Sequence, residues 1–164
     1  MNGGLDFTAS LRARCRLLSG CPASVFDTLR STGIIQFTPG VQRLCASLKK
    51  AGFKLAVLSG GFIPLALWVK AELGLDYAYA NDLEVSEDGK SLTGNVKGDI
   101  VHAERKATLI EEIAAKEGIS LEESVAVGDG ANDLVMMQRA GLGIAYNAKP
   151  IVQQKVSPSR DLAG

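Results

Sequence analysis

The sequence predicts an α/β fold in which a parallel sheet carries helices on both faces. A short, nearly continuous apolar run at 53–58 is typical of a strand that is buried on both faces, a β-branched run at 125–128 indicates a buried strand, and 142–146 indicates a further strand. Segments with apolar residues at helical spacing lie between these runs, and several of them end at a glycine. Strands that alternate with helices in this way form parallel sheets with right-handed crossovers.

The composition argues against several classes of function. The chain has 164 residues, the size of one domain, and its 18 basic and 18 acidic side chains cancel. Aromatic residues make up 5% of the chain, too few for a surface that stacks bases. The three cysteines lack metal-ligand spacing, and a single histidine argues against a nucleophilic triad. We therefore expect a small-molecule protein that does not bind nucleic acid.

No stretch of the sequence suits a membrane. The longest uncharged run, between Lys54 and Lys70, is shorter than the roughly 20 apolar residues of a spanning helix and contains Pro64. The beginning of the chain lacks the basic and apolar regions of a signal peptide. The sequence thus predicts a soluble, cytoplasmic protein with ordinary reduced thiols.

The first third of the chain is predicted to be helical. Residues 5–18 form a helix with Leu11, Cys15 and Leu18 on one side, and its arginines at 12, 14 and 16 are typical of a solvated face. A second short helix is expected at 22–29. A third is expected after Thr38, which can cap it, with Pro39 in its first position; this helix ends at Gly52.

The apolar run 53–58 leads directly into Ser59, Gly60 and Gly61, and a helix is predicted from about Pro64 to Leu73. A hydroxyl group and free backbone amides at the start of a helix form an anion site. A plain glycine turn explains the same pattern equally well.

The next segments are a hairpin and a helix. Alternating apolar residues on both sides of Asp88-Gly89 predict a β-hairpin at about 79–96. Residues 103–116 have helical spacing, and Lys106 lies near the start of that helix, where a cation is poorly matched to the helix dipole. Lys106 therefore indicates a nearby anion, unless it is simply exposed to solvent.

The most informative stretch, residues 125–133, is a β-branched run that ends in Gly128, Asp129 and Gly130 and is followed by Asp133. Asp129 is expected in the loop after a strand and Asp133 in the first turn of a helix over 131–140, with Gly141 behind it. Glycines allow close approach of a ligand, and carboxylate oxygens suit Mg²⁺. The alternative is an ordinary turn with a capping aspartate. The third glycine of a dinucleotide fingerprint is missing.

Taken together, these segments resemble the haloacid dehalogenase (HAD) phosphatase superfamily and, within it, the phosphoserine phosphatases. The resemblance covers nearly the whole chain and is carried by Lys106 and by the segments 5–14 (LDFTASLRAR), 57–62 (VLSGGF), 74–81 (GLDYAYAN) and 125–137 (VAVGDGANDLVMM). It implies a HAD-like, Rossmann-type sheet. The resemblance also implies two parts with different roles in the family: the remnant of a helical cap, 1–37, and an α/β core, 38–164, that contains the hairpin as an insertion.

The resemblance also implies a set of roles. Ser59 and the Gly60 amide hold the transferring phosphoryl group, Lys106 neutralises it, and Asn132 helps to place the substrate phosphate. Asp129 is implied as the Mg²⁺ ligand, with Asp133 supporting it. Phe7 and Arg14 match cap positions that pack over the substrate and hold its carboxylate, which a guanidinium group suits. The implied reaction is Mg²⁺-dependent hydrolysis of O-phospho-L-serine in serine biosynthesis, through an aspartyl intermediate.

The sequence departs from the family at its first motif, Asp-x-Asp-x-Thr, which supplies the nucleophile and the general acid/base. No such motif is present, and Asp6 is a poor substitute because no second aspartate and no apolar strand accompany it. We therefore expect a truncated chain that lacks the central first strand and has little or no turnover. The alternatives are a non-catalytic partner of a full-length homologue and a phosphatase for another small phosphomonoester. The sequence leaves open whether the chain forms a homo-oligomer.

Overall fold

A computed structural model of the chain describes residues 3–156, with side chains from Phe7 onward. The frayed end that the sequence predicts around residues 157–160 lies outside this range. The chain divides into two compact units, Met1–Val101 and His102–Gly164. This division follows spatial contacts, whereas the predicted boundary between residues 37 and 38 follows family roles and stays a prediction.

The first unit combines four helices with a three-stranded sheet in the order β1-β2-β3. β1 and β2 are parallel, while β2 and β3 are antiparallel. The elements are α1 (Gly3–Arg16), α2 (Val25–Ser31), α3 (Val41–Lys50), β1 (Ala56–Phe62), α4 (Ile63–Leu73), β2 (Tyr77–Val85) and β3 (Leu92–Lys97).

The predicted hairpin is present, but it is not a separate insertion. The first half of β2 pairs in parallel with β1, with Leu58 opposite Tyr79, and its second half pairs with β3, with Leu83 opposite Val96. β2 is therefore longer than the sequence pattern indicated and links the parallel sheet to the hairpin.

The hydrophobic core of the first unit joins the N-terminal helices to this hairpin. Leu11 and Cys15, one helical turn apart on α1, are buried with Phe26 of α2 and with Leu83 and Leu92 of the hairpin strands. The side of α1 that the sequence predicted to be apolar is thus its packing face, and the N-terminal helices share one core with the sheet.

The predicted start of the third helix is wrong. α3 begins at Val41 and receives no side-chain cap. Gly40 precedes it with φ of 86°, so the backbone turns at Gly40, and Thr38 contributes only its carbonyl oxygen, which accepts from the Val41 N–H. Because this left-handed conformation interrupts the helical path, Thr38 and Pro39 remain outside the helix.

The second unit is built on two parallel strands. It contains α5 (Ala103–Glu117), β4 (Val125–Gly128), α6 (Leu134–Arg139), β5 (Leu142–Ala145) and α7 (Pro150–Lys155). Val125 of β4 lies opposite Leu142 of β5, and the pairing stays in register to the end of both strands. The helix predicted at 131–140 is instead a 3-10 turn at Ala131–Asp133 followed by α6.

One face of the β4–β5 sheet is exposed, so the buried strand that was predicted before Asp129 is buried on its other face only. Val127 is 55% exposed, and Val125, Leu142 and Ile144 on the same face are also exposed. Among residues 3–156, β4 pairs only with β5 and β1 only with β2. Each of these two strands therefore has one edge without a strand partner in the described part of the chain.

The helices do not suit a membrane either. Within the described part of the chain, no helix combines the length and the apolar character that a bilayer-spanning segment requires.

A polar contact fixes the start of β2 beside β1. Asp76 accepts hydrogen bonds from Lys49 Nζ at 2.5 Å and from the Leu55 N–H at 2.8 Å. Partial burial acts to raise the pKa of Asp76, but these two hydrogen bonds and the charges of Lys49 and Lys54 together outweigh it and hold that pKa below its ordinary value. The Asp76 carboxylate is therefore more stable ionised in the folded chain than in the unfolded one.

We predict that Asp76→Asn lowers the free energy of unfolding at pH 7 by about 1 kcal/mol, since the pair with Lys49 is partly exposed to solvent. A carboxyl group with a lowered folded-state pKa stabilises the fold above its unfolded pKa, and this contribution disappears as the pH falls through the folded pKa. Urea unfolding followed by circular dichroism between pH 7 and pH 3 measures the difference.

Asp27→Asn is the control, because Asp27 forms an exposed pair with Arg30 within one helix. A difference between wild type and Asp76→Asn that is as large at pH 3 as at pH 7 would contradict this account.

Candidate active site

The two aspartates singled out in the sequence lie in one loop of the second unit. The aspartate loop, residues 128–133, runs from the end of β4 through the 3-10 turn to the start of α6. Asp129 directly follows the strand and is exposed, whereas Asp133 is buried. The loop thus presents one carboxylate to solvent and keeps the other inside.

Asp133 forms a buried ion pair with Lys106. Lys106 Nζ donates to Asp133 Oδ1 at 2.6 Å, and each residue is only 5% exposed. Lys106 is the fourth residue of α5, so the anion that its unusual helix position indicated is the Asp133 carboxylate. The alternative of a solvent-exposed lysine is wrong. A charge this deeply buried is retained only when it is paired.

The second oxygen of Asp133 holds the backbone of its own loop. Asp133 Oδ2 accepts from the N–H groups of Asp129 at 3.3 Å and Gly130 at 3.2 Å. The capping interpretation is therefore correct for Asp133 within the 3-10 turn, although its side chain does not cap α6. These contacts leave Asp133 little capacity to bind a metal directly, and they make it a support for Asp129.

The glycines of this loop make room for its own side chains. A Cβ atom on Gly128 would lie 2.4 Å from Asp133 Cβ, and one on Gly130 would lie 2.3 Å from Asn132 Oδ1. Both distances are too short for real atoms. The sequence suggested that these glycines admit a ligand, but their first structural effect is to let Asp133 and Asn132 fold back over the backbone.

Asp129 is the carboxylate that is available to a metal. Its side chain forms no hydrogen bond with any residue in 3–156, and within that range no three His, Cys, Asp or Glu residues cluster as metal ligands do. Mg²⁺ commonly takes one or two carboxylates and completes its shell with water and phosphate oxygens. The residues present fit such an ion, with Asp129 as its side-chain ligand and Asp133 behind it.

The other predicted site residues lie in the first unit. β1 continues through residues 59–61 to Phe62, and α4 begins at Ile63, which confirms the helix predicted from about Pro64 to Leu73. Ser59 Oγ accepts from the Gly61 N–H at 3.0 Å, so that amide is already engaged. Neither a plain glycine turn nor a free helix N-terminus describes this segment, which is a bulged strand.

Phe7 of α1 and Gly60 of β1 are in contact. A Cβ atom on Gly60 would approach Phe7 Cζ to 3.2 Å, so the ring lies against the Gly60 backbone. Arg14 lies two turns further along α1 on the same side as Phe7, about 10 Å away along the helix axis, and its side chain is exposed. Phe7, Gly60 and Arg14 thus share the first unit.

Sequence reasoning missed two residues that shape these segments. Asn81, in β2, is completely buried and hydrogen-bonded to the backbone of Gly60 and Gly61. The only signal was an amide side chain directly after the apolar start of the strand, residues 77–80. His102 precedes α5, and its Nδ1 accepts from the Arg105 N–H at 3.4 Å, which caps the helix that carries Lys106.

Comparison with known proteins confirms the resemblance. A family profile described as "haloacid dehalogenase-like hydrolase" matches residues 2–138. The chain belongs to this family. A probable phosphoserine phosphatase of Schizosaccharomyces pombe is 54% identical over 93% of this chain and 51% of its own length. A phosphoserine phosphatase of Archaeoglobus fulgidus is 52% identical over 93% of this chain and 43% of its own length. A third, from Methanocaldococcus jannaschii, is 46% identical over 94% of this chain and 72% of its own.

Solved structures agree with the fold of this family member. A probable phosphoserine phosphatase of Vibrio cholerae, in unliganded form, is similar with a TM-score of 0.83 at 39% identity, over 94% of this chain and 50% of its own. A substrate-bound phosphoserine phosphatase complex also has a TM-score of 0.83, at 44% identity over 96% of this chain and 73% of its own. The α/β fold predicted from the sequence is therefore confirmed, and the chain spans about half the length of several relatives. The individual roles of the site residues stay predictions.

We predict that Gly128→Ala destabilises the protein by roughly 3 kcal/mol, because the new methyl group occupies the place of Asp133 and leaves Lys106 as a buried, unpaired charge. Urea unfolding at pH 7 measures the loss. Val127→Ala, at the exposed neighbouring position, is the control and should cost less than about 1 kcal/mol. Equal stability of the two variants would show that Asp133 does not depend on the absence of a side chain at residue 128.

Proposed function

We propose that the protein takes part in the Mg²⁺-dependent hydrolysis of O-phospho-L-serine to L-serine and phosphate, the last step of phosphorylated serine biosynthesis. The observation that carries this proposal is the buried Lys106–Asp133 pair beside the exposed Asp129 in the aspartate loop. Relatives that are 46–54% identical and named as phosphoserine phosphatases support the choice of substrate. The free thiols of Cys15, Cys21 and Cys45 support a cytoplasmic location.

In the second unit, the proposed roles follow from charge and hydrogen-bonding capacity. The Lys106 ammonium group has three N–H donors and donates one hydrogen bond to Asp133, so two donors remain for the oxygens of a phosphoryl group. Asp129 holds Mg²⁺, which supplies positive charge for the oxygens of the transferring group. Asp133 fixes Lys106 and the backbone of Asp129, and the half-buried Asn132 offers an amide to the substrate phosphate.

In the first unit, the proposed roles concern the phosphoryl group and the amino-acid part of the substrate. The Ser59 hydroxyl accepts from Gly61 and keeps its own proton for a phosphate oxygen, beside the Gly60 amide. Phe7 packs over the substrate, and the exposed guanidinium group of Arg14 binds its carboxylate in the two-point geometry that Arg favours. A phosphomonoester without a carboxylate is the alternative substrate that Arg14 argues against.

The attacking carboxylate does not come from a motif of this chain. The 164 residues contain no Asp-x-Asp-x-Thr sequence. Asp6, the nearest substitute, falls within helix α1 rather than after a strand, so it lacks the setting of the family nucleophile. We propose that these residues bind and neutralise the phosphoryl group, while the nucleophile and the general acid/base are supplied by an upstream strand.

The test measures phosphate release from O-phospho-L-serine with Mg²⁺. We expect little or no release by the 164-residue chain, and turnover once an N-terminal extension supplies a family-type Asp-x-Asp-x-Thr strand. In the extended protein, Asp129→Asn should abolish turnover and Lys106→Met should lower kcat by about 100-fold or more. Arg14→Ala should raise KM for O-phospho-L-serine and leave KM for O-phosphoethanolamine, which has no carboxylate, unchanged.

Two results would contradict the proposal. Turnover by the 164-residue chain alone that Asp129→Asn removes would locate a nucleophile among these residues, with Asp6 as the first to substitute. A folded, extended protein that does not hydrolyse O-phospho-L-serine would show that the substrate assignment is wrong.

A second candidate function is that of a non-catalytic partner of a full-length homologue. It is favoured by the strands β1 and β4, each of which pairs with a single neighbour among residues 3–156, and by the exposed apolar face of the β4–β5 sheet. A strand edge without a partner is a template for pairing with another chain.

For this candidate, light scattering after size exclusion of the chain mixed with a full-length homologue should show a one-to-one complex. A folded monomer that stays separate would exclude it, and a dimer of the chain alone would favour a homo-oligomer instead.

A further inference from the structure

β1 contains an irregularity at the segment assigned to phosphate binding. Leu58 pairs with Tyr79 and Phe62 with Asn81, so β1 advances four residues while β2 advances two. The phosphate bulge, residues 59–61, therefore has no regular ladder partners. Backbone groups that leave a ladder in a partly buried strand need other hydrogen-bond partners.

Asn81 supplies these partners. Its side-chain Nδ2 donates to the carbonyl oxygens of Gly60 at 2.8 Å and Gly61 at 3.1 Å, and its Oδ1 accepts from the Val101 N–H at 2.8 Å. The orientation of the amide is fixed by chemistry, since the reverse would set Oδ1 against two carbonyl oxygens. Asn81 is 0% exposed, so water cannot replace any of these bonds.

We propose that Asn81 is a positioning residue that holds the phosphate bulge in the shape in which Ser59 Oγ and the Gly60 N–H bind a phosphoryl group; this inference rests on the proposed function. A planar amide is the side chain that fits, because the site needs two donated bonds and one accepted bond from a single short group. Aspartate offers only acceptors, and serine has a single donor. Asn81 acts through the backbone of Gly60 and Gly61 and does not itself touch the substrate.

The hydrogen bond from Val101 to Asn81 means that Asn81 also holds a second backbone segment. Val101 lies five residues before Lys106 and is the last residue of the first unit. One buried amide thus holds both the phosphate bulge and the segment that leads into the helix of the phosphate-neutralising lysine. Loss of Asn81 is expected to loosen both backbone segments, whereas the carboxylate of Asp129 stays in its own loop.

The test is a titration of the chain with inorganic phosphate in the presence of Mg²⁺, followed by calorimetry. Asn81→Asp has nearly the same shape and retains the bond from Val101, but it places a negative oxygen against two carbonyls. We expect phosphate to bind at least about tenfold more weakly to this variant and to Asn81→Ala. Binding of Mg²⁺ alone should stay within about twofold of wild type, since Asp129 is unaffected.

Cys15→Ala is the matched control, because Cys15 is also completely buried in the first unit but does not contact the bulge. It lowers stability without altering the bulge, so its phosphate affinity should equal that of wild type. A folded Asn81 variant with wild-type phosphate affinity, or an equal loss of affinity in Cys15→Ala, would overturn the inference. A wild-type chain that binds no phosphate would instead refute the proposed function of the bulge.

A measurement on the wild type covers the case in which the Asn81 variants do not fold. In nuclear magnetic resonance spectra, saturation with phosphate should shift the side-chain amide signal of Asn81. The amide of Asn95, which is exposed and bonded to Glu84, should not move. An Asn81 signal that stays unchanged while phosphate binds would overturn the inference.

Discussion

The carboxylate of Asp133 is the group on which the aspartate loop depends. One of its oxygens receives the Lys106 ammonium group and the other receives two backbone N–H groups, so a single buried side chain determines both the lysine position and the loop path. The absence of a side chain at Gly128 makes this possible, because a Cβ atom there would overlap Asp133. Glycine, aspartate and lysine therefore form one arrangement in which a change in any member displaces the other two.

In the first unit, a neutral side chain rather than a charged one holds an irregular stretch of backbone. The phosphate bulge interrupts a strand ladder, and the amide of Asn81 replaces the lost hydrogen bonds. An amide suits this place because both kinds of bond are needed, whereas the aspartate loop needs only acceptors for a lysine and two N–H groups. In both units, an irregular stretch of backbone is held by one buried polar side chain that has all its hydrogen-bond partners.

The sequence was sufficient where local chemistry decides the structure. Gly74 and Gly118 end α4 and α5 in the left-handed conformation that the pattern predicted, and the alternation of strands and helices gave the fold. The sequence was insufficient where the local structure depends on residues that are distant in the chain. The structural role of Asn81 comes from hydrogen bonds to carbonyl groups that lie 20 and 21 residues away in the sequence. The start of α3 depends on the conformation of Gly40 rather than on the capping preference of Thr38. The exposure of Val127 depends on what packs against its face of the sheet, which its apolar character alone cannot indicate.

Under the proposed function, the charges of the aspartate loop link the binding of a metal ion to that of a phosphoryl group. Lys106 and Asp133 neutralise each other at 2.6 Å, which leaves the exposed Asp129 with an uncompensated negative charge. Such a loop repels a phosphate dianion. Under the proposed function, a divalent cation held by Asp129 would reverse the sign of the local charge, and the N–H groups of Lys106 that Asp133 does not use would then be available to phosphate oxygens. Phosphate binding at this loop is therefore expected to depend on the metal.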